Sequence, residues 1–365
     1  MPKRVGFLYE WMCDEQHIRE AIAFGAKGKH DRHDVKEVLD DLDIYVGKVK
    51  NLLETQTFVP AKPRVKQHYD TCGKKWRTIE YVKFFPDGII HTLMVMAAEP
   101  TIMRGMNHWC CASVPGRGSK HAMKRVKRVI HHDRKGSKYV CKIDIRHYYH
   151  SVNRRKLIWA LARKVKDKKY LKLVWDVLQT CEQGLAIGFF ICQWLANYYL
   201  EPVDRFITTL DGVQHSVRYM DDIVLFGANK KKLHRARRDL EAYLRRTLGL
   251  TMKGNWQVYP LKARPLDFVG FKFYRDHITM RKANFLRFTR QCRRVRKKID
   301  AGRPISYAQA SSLLSRIGQL RHCNSHAVRV KYVDPIGIKI LKEVVRHESK
   351  RRLAAQQRIL AGGAA

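Results

Sequence analysis

The chain has 365 residues and carries 73 Lys and Arg against 33 Asp and Glu, which gives a formal net charge of +40. Because hydrophobic residues make up 45% of it, the chain can bury a core, and a disordered basic tail is excluded. Such an excess of positive charge predicts a polyanionic partner, with nucleic acid first and an anionic membrane surface second.

The apolar stretches of the chain are too short to predict a membrane-spanning helix, and its polar N-terminal stretch is unlike a signal peptide. The nine cysteines are irregularly spaced and form no CxxC pair, which disfavours a disulfide framework and a zinc knuckle. This cysteine usage is typical of the reducing cytoplasm, where we expect the protein to act without a membrane.

The first region, residues 14–58, is predicted to be helical, because apolar residues recur every three or four positions from Val35 to Leu53. A basic loop that contains proline then leads into a predicted strand over residues 77–84, which are rich in β-forming residues. The next predicted helices cover residues 87–99 and 121–132.

In the central region an apolar strand is predicted over residues 139–145, and two short strands flank Met220–Asp222. Predicted helices cover residues 154–181, 188–209 and 230–248. Short strand signals follow over residues 258–278, and residues 281–300, with nine Lys or Arg and one Asp, predict a basic helix. Changes in composition near residues 60 and 281 are the candidate domain boundaries.

Two sites place carboxylates beside apolar strands. Asp144 ends the first predicted strand, whereas Asp221 and Asp222 lie between two short strands in the sequence YMDDIVLF. A tight hairpin turn would project both of these aspartates, and a neighbouring strand that ends in Asp144 would complete a group of three. Because clustered carboxylates repel each other without a counter-cation, the pattern predicts Mg²⁺ or Mn²⁺, and two such ions support nucleotidyl transfer.

An Asp-Asp pair alone is more often an ordinary hairpin turn, but its combination with a strand that ends in Asp and with a strongly basic chain favours catalysis. Tyr219–Val224 resembles the YxDD motif of reverse transcriptases, and Asp144 followed five residues later by Tyr149 resembles their first metal-binding motif. The resemblance extends over about residues 60–300, with its motifs in the expected order.

The resemblance implies an α+β right-hand polymerase with fingers, an antiparallel palm sheet and a helical thumb. The implied domains are an N-terminal helical extension over residues 1–60, fingers and palm over 61–280, and a basic helical thumb with a C-terminal tail over 281–365. The implied catalytic metal ligands are Asp144, Asp221 and, in a supporting role, Asp222. Tyr149 would lie beneath the incoming sugar and exclude a 2′-hydroxyl, and Arg77, assisted by Lys75, would bind the triphosphate of a dNTP.

The helix motif that follows the first Asp places Ile187, Gly188 and Gln193 near the nascent base pair. An Ile-Gly followed by Ser-Gln and by Leu- or Phe-Ala-Asn is characteristic of reverse transcriptases from diversity-generating retroelements, in which loss of the polar residue before the Gly accompanies error-prone copying of adenines. Ala186 in place of the usual Pro and Cys192 in place of the usual Ser depart from that pattern.

The sequence FVGFKFY at residues 268–274 resembles the hairpin that grips the primer end, with Phe268 and Gly270 as its contact residues. Lys253, upstream of it, is a candidate proton donor to the leaving pyrophosphate. The basic thumb helix would bind the backbone of an RNA–DNA duplex in a salt-sensitive way. Its candidate contact residues are Arg290, Arg293, Arg294 and Lys297.

The resemblance implies an RNA-directed DNA polymerase of bacterial or phage origin that copies a dedicated structured RNA into cDNA and works with a small basic accessory protein. No His-Asn-His or zinc-linked module follows the thumb, which disfavours a self-sufficient group II intron maturase. Two alternatives stay open. One is an antiphage defence reverse transcriptase that copies a non-coding RNA, and the other is a non-catalytic RNA-binding protein on a polymerase scaffold.

Overall fold

The structure, a computed structural model, describes residues 4–70 and 75–361, with side chains described for residues 4–70 and 76–350. The helices are α1 (Leu8–Cys13), α2 (Glu15–Ala26), α3 (His33–Asp40), α4 (Leu42–Glu54), α5 (Ile89–Met103), α6 (Ser119–His132), α7 (Tyr148–Ser151), α8 (Arg154–Ala162), α9 (Lys168–Gln179), α10 (Phe190–Tyr199), α11 (Glu201–Thr209), α12 (Lys230–Tyr243), α13 (Lys282–Asp300), α14 (Tyr307–Gln319), α15 (His326–Tyr332) and α16 (Ile338–Ala361). The strands are β1 (Arg64–Asp70), β2 (Lys75–Tyr81), β3 (Tyr139–Ile143), β4 (His215–Tyr219), β5 (Asp222–Gly227), β6 (Gln257–Pro260), β7 (Leu266–Phe268), β8 (Phe271–Phe273) and β9 (Ile278–Met280).

The chain forms two compact units, which are Met1–Ala122 with Lys135–Val258, and Met123–Arg134 with Tyr259–Ala365. These units do not follow the boundaries predicted near residues 60 and 281. The N-terminal helices share one core with the central region, and β7–β9 belong to the unit that contains the basic helix α13. The division into extension, fingers with palm, and thumb stays a prediction.

The first unit is built around α5, which is apolar on all sides and therefore has to be buried. It packs against α1, α2 and α10. A separate antiparallel hairpin, β1–β2, is largely exposed on its β1 strand. The strand order of the main sheet is β4-β5-β3-β6, and β5 is antiparallel to both of its neighbours. The predicted α+β class with an antiparallel sheet is confirmed.

The second unit contains the three-stranded antiparallel sheet β7-β8-β9 and helices α13–α16. On α13 the buried side chains Phe288, Cys292 and Val295 recur every three or four residues, and they pack against α14 and α15 in a core of their own. A capping box starts α14, because Ser306 and Gln309 satisfy each other's backbone N–H groups.

Three predicted helices differ from the structure in length, and each difference has a local cause. The helix predicted over residues 154–181 is two helices, because the Asp167 carboxylate accepts a hydrogen bond from Tyr170 N (3.0 Å) and starts α9 anew. The helix predicted over 188–209 is also two, with Pro202 in the first turn of α11. The charged helix predicted over 230–248 ends at Tyr243 and closes with a wider turn before Gly249.

No helix in the described part of the chain is long and apolar enough to cross a membrane.

His91 is a titratable side chain buried within α5, where its ring centroid lies 4.8 Å from that of Phe189. Burial lowers the pKa of His91 from 6.5 to about 4, because the imidazolium form loses its hydration. The imidazole is therefore neutral in the folded chain at neutral pH.

We predict that this residue makes the fold acid-sensitive. Between pH 6.5 and about 4 the unfolded chain binds a proton at His91 and the folded chain does not, so stability is complete above this range and is lost as the pH falls through it. The full shift corresponds to about 3 kcal/mol. In urea unfolding at about pH 7 and about pH 5, His91→Leu should lose less stability on acidification than the parent; equal losses would contradict the prediction.

Candidate active site

Asp144 directly follows β3, and a short antiparallel pairing holds its backbone. The Asp144 carbonyl accepts a hydrogen bond from Lys253 N (2.8 Å), and Ile145 pairs with Met252. The pairing brings Lys253 Nζ to 3.2 Å from Asp144 Oδ2, with both side chains partly exposed. The lysine predicted on the pyrophosphate side therefore lies beside the first predicted metal ligand.

β4 and β5 form the hairpin that the sequence predicts, with Tyr219 paired to Asp222. Its two turn residues are consequently Met220, which has a left-handed φ of 54°, and Asp221. The prediction that both aspartates project from the turn is wrong for Asp222, because this pairing makes it the first residue of β5. Its Oδ2 lies 3.5 Å from the ammonium of Lys142 on β3.

The sheet order brings the end of β3 next to this turn, since β3 pairs with β5. The carboxyl of Asp221 is half-buried and lies close enough to that of Asp144 for the two to interact electrostatically. Burial first, and then the negative charges of Asp144 and Asp222, raise the pKa of Asp221 to about 6. Two carboxyls held this close form a site that a cation would stabilise.

Arg218 anchors the β4–β5 turn from the protein interior, where its side chain is only 2% exposed. Its Nε and Nη2 donate to the two carboxylate oxygens of Asp204 on α11, at 2.7 and 2.6 Å. Its Nη1 donates to Asn197 Oδ1 at 3.2 Å and to the Met220 carbonyl at 3.1 Å. One guanidinium thus ties the left-handed turn residue to two helices of the core.

The backbone of Arg218 is held as well, because its N–H donates to the Trp109 carbonyl (3.0 Å) and its carbonyl accepts from Cys111 N (2.9 Å). The sequence patterns did not single out Arg218 as a residue of the site. The available signal was a lone charge in the short segment HSVRYM, between an apolar residue and the YMDD turn, but a +40 chain offers many such arginines.

Tyr149 lies within the electrostatic influence of Asp221. Burial raises its pKa well above the ordinary value, with smaller contributions from Cys192 and Asp221. Its carbonyl accepts a hydrogen bond from Leu185 N (2.8 Å). A Cβ added to Gly184 would lie 2.3 Å from the same carbonyl, so the segment that carries Tyr149 packs directly on the loop that leads to Ile187.

Ile187 and Gly188 make main-chain contacts with β2. Glu80 N donates to the Ile187 carbonyl at 2.9 Å. Gly188 has φ of +129°, and a Cβ there would lie 2.3 Å from the Glu80 carbonyl. The close approach expected of this glycine is therefore made to the β1–β2 hairpin, and the Ile187 side chain stays half-exposed. Gln193 accepts a hydrogen bond from Ser113 Oγ at 3.3 Å.

Arg77 lies on β2, where its Nε and Nη2 donate to Asp70 Oδ2 at 3.0 and 2.9 Å. With 45% of its side chain exposed, the guanidinium has access to solvent beside this carboxylate. The side chain of Lys75 lies outside the described residues.

In the second unit, Phe268 is fully buried, so its side chain packs inside the unit and is not exposed to a ligand. At that turn Gly270 has φ of +89°, and its carbonyl accepts hydrogen bonds from Arg281 N (3.0 Å) and Asn284 Nδ2 (3.3 Å). The four predicted contact residues of α13 are all exposed, at positions 290, 293, 294 and 297 of one face. Arg293 Nη2 donates a hydrogen bond to the Tyr332 hydroxyl at 3.4 Å.

Across the side chains that the structure describes, no three Asp, Glu, His or Cys residues converge in a group that could hold a metal ion. The structure brings Asp144 and Asp221 together and turns Asp222 towards Lys142. A pair of carboxylates is still a suitable protein contribution to Mg²⁺, which usually keeps several waters and completes its shell with substrate phosphates.

Comparison with known proteins identifies a family. The model of the reverse transcriptase (RNA-dependent DNA polymerase) family matches residues 73–273, which is more than half of the chain and contains both aspartate sites. The right-hand polymerase fold predicted from the sequence is confirmed by this match. No curated protein sequence matches the chain.

The similar solved structures include telomerases. Apo telomerase from Candida Tropicalis, truncated from its C-terminal domain, is 13% identical with a TM-score of 0.42, covering 61% of this chain and 55% of that one. The untruncated apo enzyme is 12% identical with a TM-score of 0.46, and the match covers 82% of this chain and 59% of that one. The Candida Tropicalis enzyme in complex with a TWJ fragment of telomeric RNA is 12% identical with a TM-score of 0.48, and the match covers 87% of this chain and 67% of that one. The chain spans little more than half the length of the first two.

We predict that Arg218→Met destabilises the fold by about 3–5 kcal/mol, because it leaves the Asp204 carboxylate buried without its partner. Arg19→Met is the matched control: this arginine is 37% exposed and lies 2.6 Å from Oδ1 of Asp43, which is 62% exposed, so its loss should cost less than about 1 kcal/mol. Urea unfolding measures both, and equal stabilities of the two variants would contradict the anchoring role of Arg218.

Proposed function

The chain belongs to the reverse transcriptase family of RNA-dependent DNA polymerases, and we propose that it copies a dedicated structured RNA into cDNA. The observation that carries this proposal is the meeting of Asp144 and Asp221, from the end of one strand and the turn of a hairpin. A family member that had lost catalysis would have no need to keep two carboxyls in contact at a cost in electrostatic repulsion.

Asp144 and Asp221 would hold Mg²⁺ or Mn²⁺, with Asp222 in support. When bound, the ions supply the activation of the primer 3′-hydroxyl and the stabilisation of the leaving pyrophosphate. Before any ion binds, this chain holds the two carboxyls close enough for the negative charge of Asp144 to help raise the pKa of Asp221. Lys253 lies beside Asp144 and offsets part of the negative charge of the pair, and Lys142 does the same for Asp222.

Lys253 is proposed to serve the leaving group. Its ammonium lies 3.2 Å from Asp144 Oδ2 and is 46% exposed, so it is within reach of both the carboxylate and an incoming phosphate. We propose that it neutralises or protonates the departing pyrophosphate at the Nζ atom.

The remaining contacts with the dNTP are proposed for Tyr149 and Arg77. The half-buried ring of Tyr149 would lie under the sugar and leave no room for a 2′-hydroxyl. Arg77 would exchange its ion pair with Asp70 for the triphosphate, an exchange that its exposure permits.

The second unit is proposed to hold the RNA–DNA duplex. The turn at Gly270 would contact the primer strand through its backbone, since Phe268 is buried. Arg290, Arg294 and Lys297, exposed on one face of α13, would contact phosphates, together with Arg293. Because such contacts release counterions, binding of the duplex should weaken steeply with salt.

The finer assignment is that the enzyme is error-prone, as in diversity-generating retroelements, and works with a small basic accessory protein. It is supported by Ile187-Gly188 in the motif before α10. The Ile187 carbonyl holds Glu80 N, whereas its side chain is only half-buried. This side chain offers the nascent base pair no hydrogen bond.

We predict that Asp221→Asn lowers primer extension on a poly(rA)/oligo(dT) duplex about a thousandfold, because it removes one of two paired carboxylates. Asp211→Asn, an exposed aspartate paired with Lys232 at 3.2 Å, should leave extension unchanged. Removal of divalent metal with a chelator should stop the parent enzyme.

Mn²⁺ binding, followed by electron paramagnetic resonance, provides a readout that does not depend on turnover. We expect it to weaken in Asp221→Asn and not in Asp211→Asn. Full extension by Asp221→Asn would show that the two carboxyls are not the catalytic site.

We predict that Ile187→Gln lowers misincorporation opposite template adenines several-fold, because it restores a hydrogen-bonding side chain while the main-chain bond to Glu80 stays. The cDNA products of a mixed-sequence RNA are sequenced to measure this. Ile44→Gln, at a 57% exposed position on α4, is the control. An unchanged error spectrum in Ile187→Gln would remove the basis for the error-prone assignment.

A further inference from the structure

A cavity of about 530 Å³ lies in the first unit, between helices α3 and α4 and the base of the β1–β2 hairpin. It is distinct from the aspartate pair, and none of the roles assigned above uses it. Its volume is within the range of small-ligand sites and is large enough for a nucleotide. Its lining combines aromatic rings, carboxylates and cations, which are the three kinds of group that recognise a nucleotide.

Aromatic rings form the first part of this lining: Tyr45, Phe85 and Tyr81. The rings of Tyr45 and Phe85 meet edge to face, with centroids 4.8 Å apart. Tyr81, at the end of β2, is 39% exposed. An exposed ring that lines a cavity offers a face on which a base can stack.

Two carboxylates form the second part, and both are held in place. Asp34 accepts hydrogen bonds from Arg32 Nε at 3.0 Å and Nη2 at 2.6 Å, and from Phe84 N at 3.2 Å. Partial burial acts to raise the pKa of Asp34, but these hydrogen bonds lower it below its ordinary value. Glu37 accepts the hydroxyl of Tyr45 at 2.6 Å. Because a carboxylate oxygen can accept more than one hydrogen bond, both groups can also receive N–H donors from a ligand.

Cations form the third part. Arg64 at the start of β1 and Lys83 after β2 are exposed residues of the lining, and Arg32 lies beside them. Three cationic side chains therefore stand against two carboxylates, on a chain whose net charge is +40. This balance favours a ligand with a phosphate and disfavours a cationic peptide.

We propose that this cavity binds one unpaired guanine nucleotide of the RNA on which the enzyme acts. The inference rests on the proposed function only for the RNA; the recognition of the base follows from the cavity itself. The guanine ring stacks on Tyr81, its two N–H groups donate to the carboxylate of Glu37, and its phosphate meets Arg64 and Lys83.

Guanine is preferred for a chemical reason. Its Watson–Crick edge presents two adjacent N–H donors, which match the two oxygens of a single carboxylate. Adenine and cytosine each present a ring-nitrogen acceptor next to the amino group, and a carboxylate repels that acceptor. Uracil presents one N–H between two carbonyl oxygens. The cavity thus selects for one base, which the general basic surface of the chain does not do.

The experiment measures the affinity of the full chain for labelled RNA decamers of uridine that carry one central G or one central A. We expect the G decamer to bind about tenfold more tightly than the A decamer, since a bidentate contact is worth about 1–3 kcal/mol of discrimination. Equal affinities would overturn the proposal. Binding of GMP alone as tightly as the G decamer would also overturn it, because the ligand would then be a free nucleotide.

Paired variants assign the preference to the cavity. Glu37→Gln and Tyr81→Ala should abolish it. Two controls should retain it: Glu20→Gln, on the exposed face of α2, and Tyr69→Ala, a 42% exposed ring of the same hairpin outside the cavity. A preference that survives Glu37→Gln would overturn the proposal even if Tyr81→Ala fails to fold.

Primer extension by the same proteins separates this proposal from the proposed function. Glu37→Gln should extend oligo(dT) on poly(rA) as the parent does, because that template contains no guanine. If the parent protein does not extend the primer but still prefers the G decamer, the proposed polymerase function is wrong and the proposed guanine site is supported.

Discussion

The buried ion pair between Arg218 and Asp204 is the interaction on which the candidate active site depends. It places one guanidinium under the β4–β5 turn, where it bonds the Met220 carbonyl and reaches α10 through Asn197. Removing two charges from water is costly, and only a complete set of partners offsets that cost. The turn residue that precedes Asp221 can therefore stay in the left-handed region, because a rigid set of hydrogen bonds below it leaves few alternatives.

The sequence predicted those parts of the site that depend on a short, continuous stretch of residues. An apolar run that ends in Asp144, and a strand–turn–strand pattern around Asp221, are local signals, and the antiparallel order of the sheet brings their ends together. The same local rules found most helices. They misplaced Asp222 by one position, since the register of a two-residue turn decides whether a residue belongs to the turn or to the strand.

The parts that escaped prediction depend on pairings distant in sequence. Arg218 meets Trp109 and Asn197 through the tertiary fold, and Lys253 reaches Asp144 through a pairing that spans more than a hundred residues. In a chain with 73 basic residues, composition cannot show which two or three will be drawn into a site. The two compact units likewise follow packing and not composition.

The attachment of the 187–188 loop to β2 has an evolutionary consequence. It uses only main-chain atoms at Ile187 and the absence of a side chain at Gly188. Selection can therefore exchange the residue at position 187 while the hairpin keeps its support, whereas position 188 is closed to exchange. A single codon can therefore change the side chain at position 187 without a change in the fold.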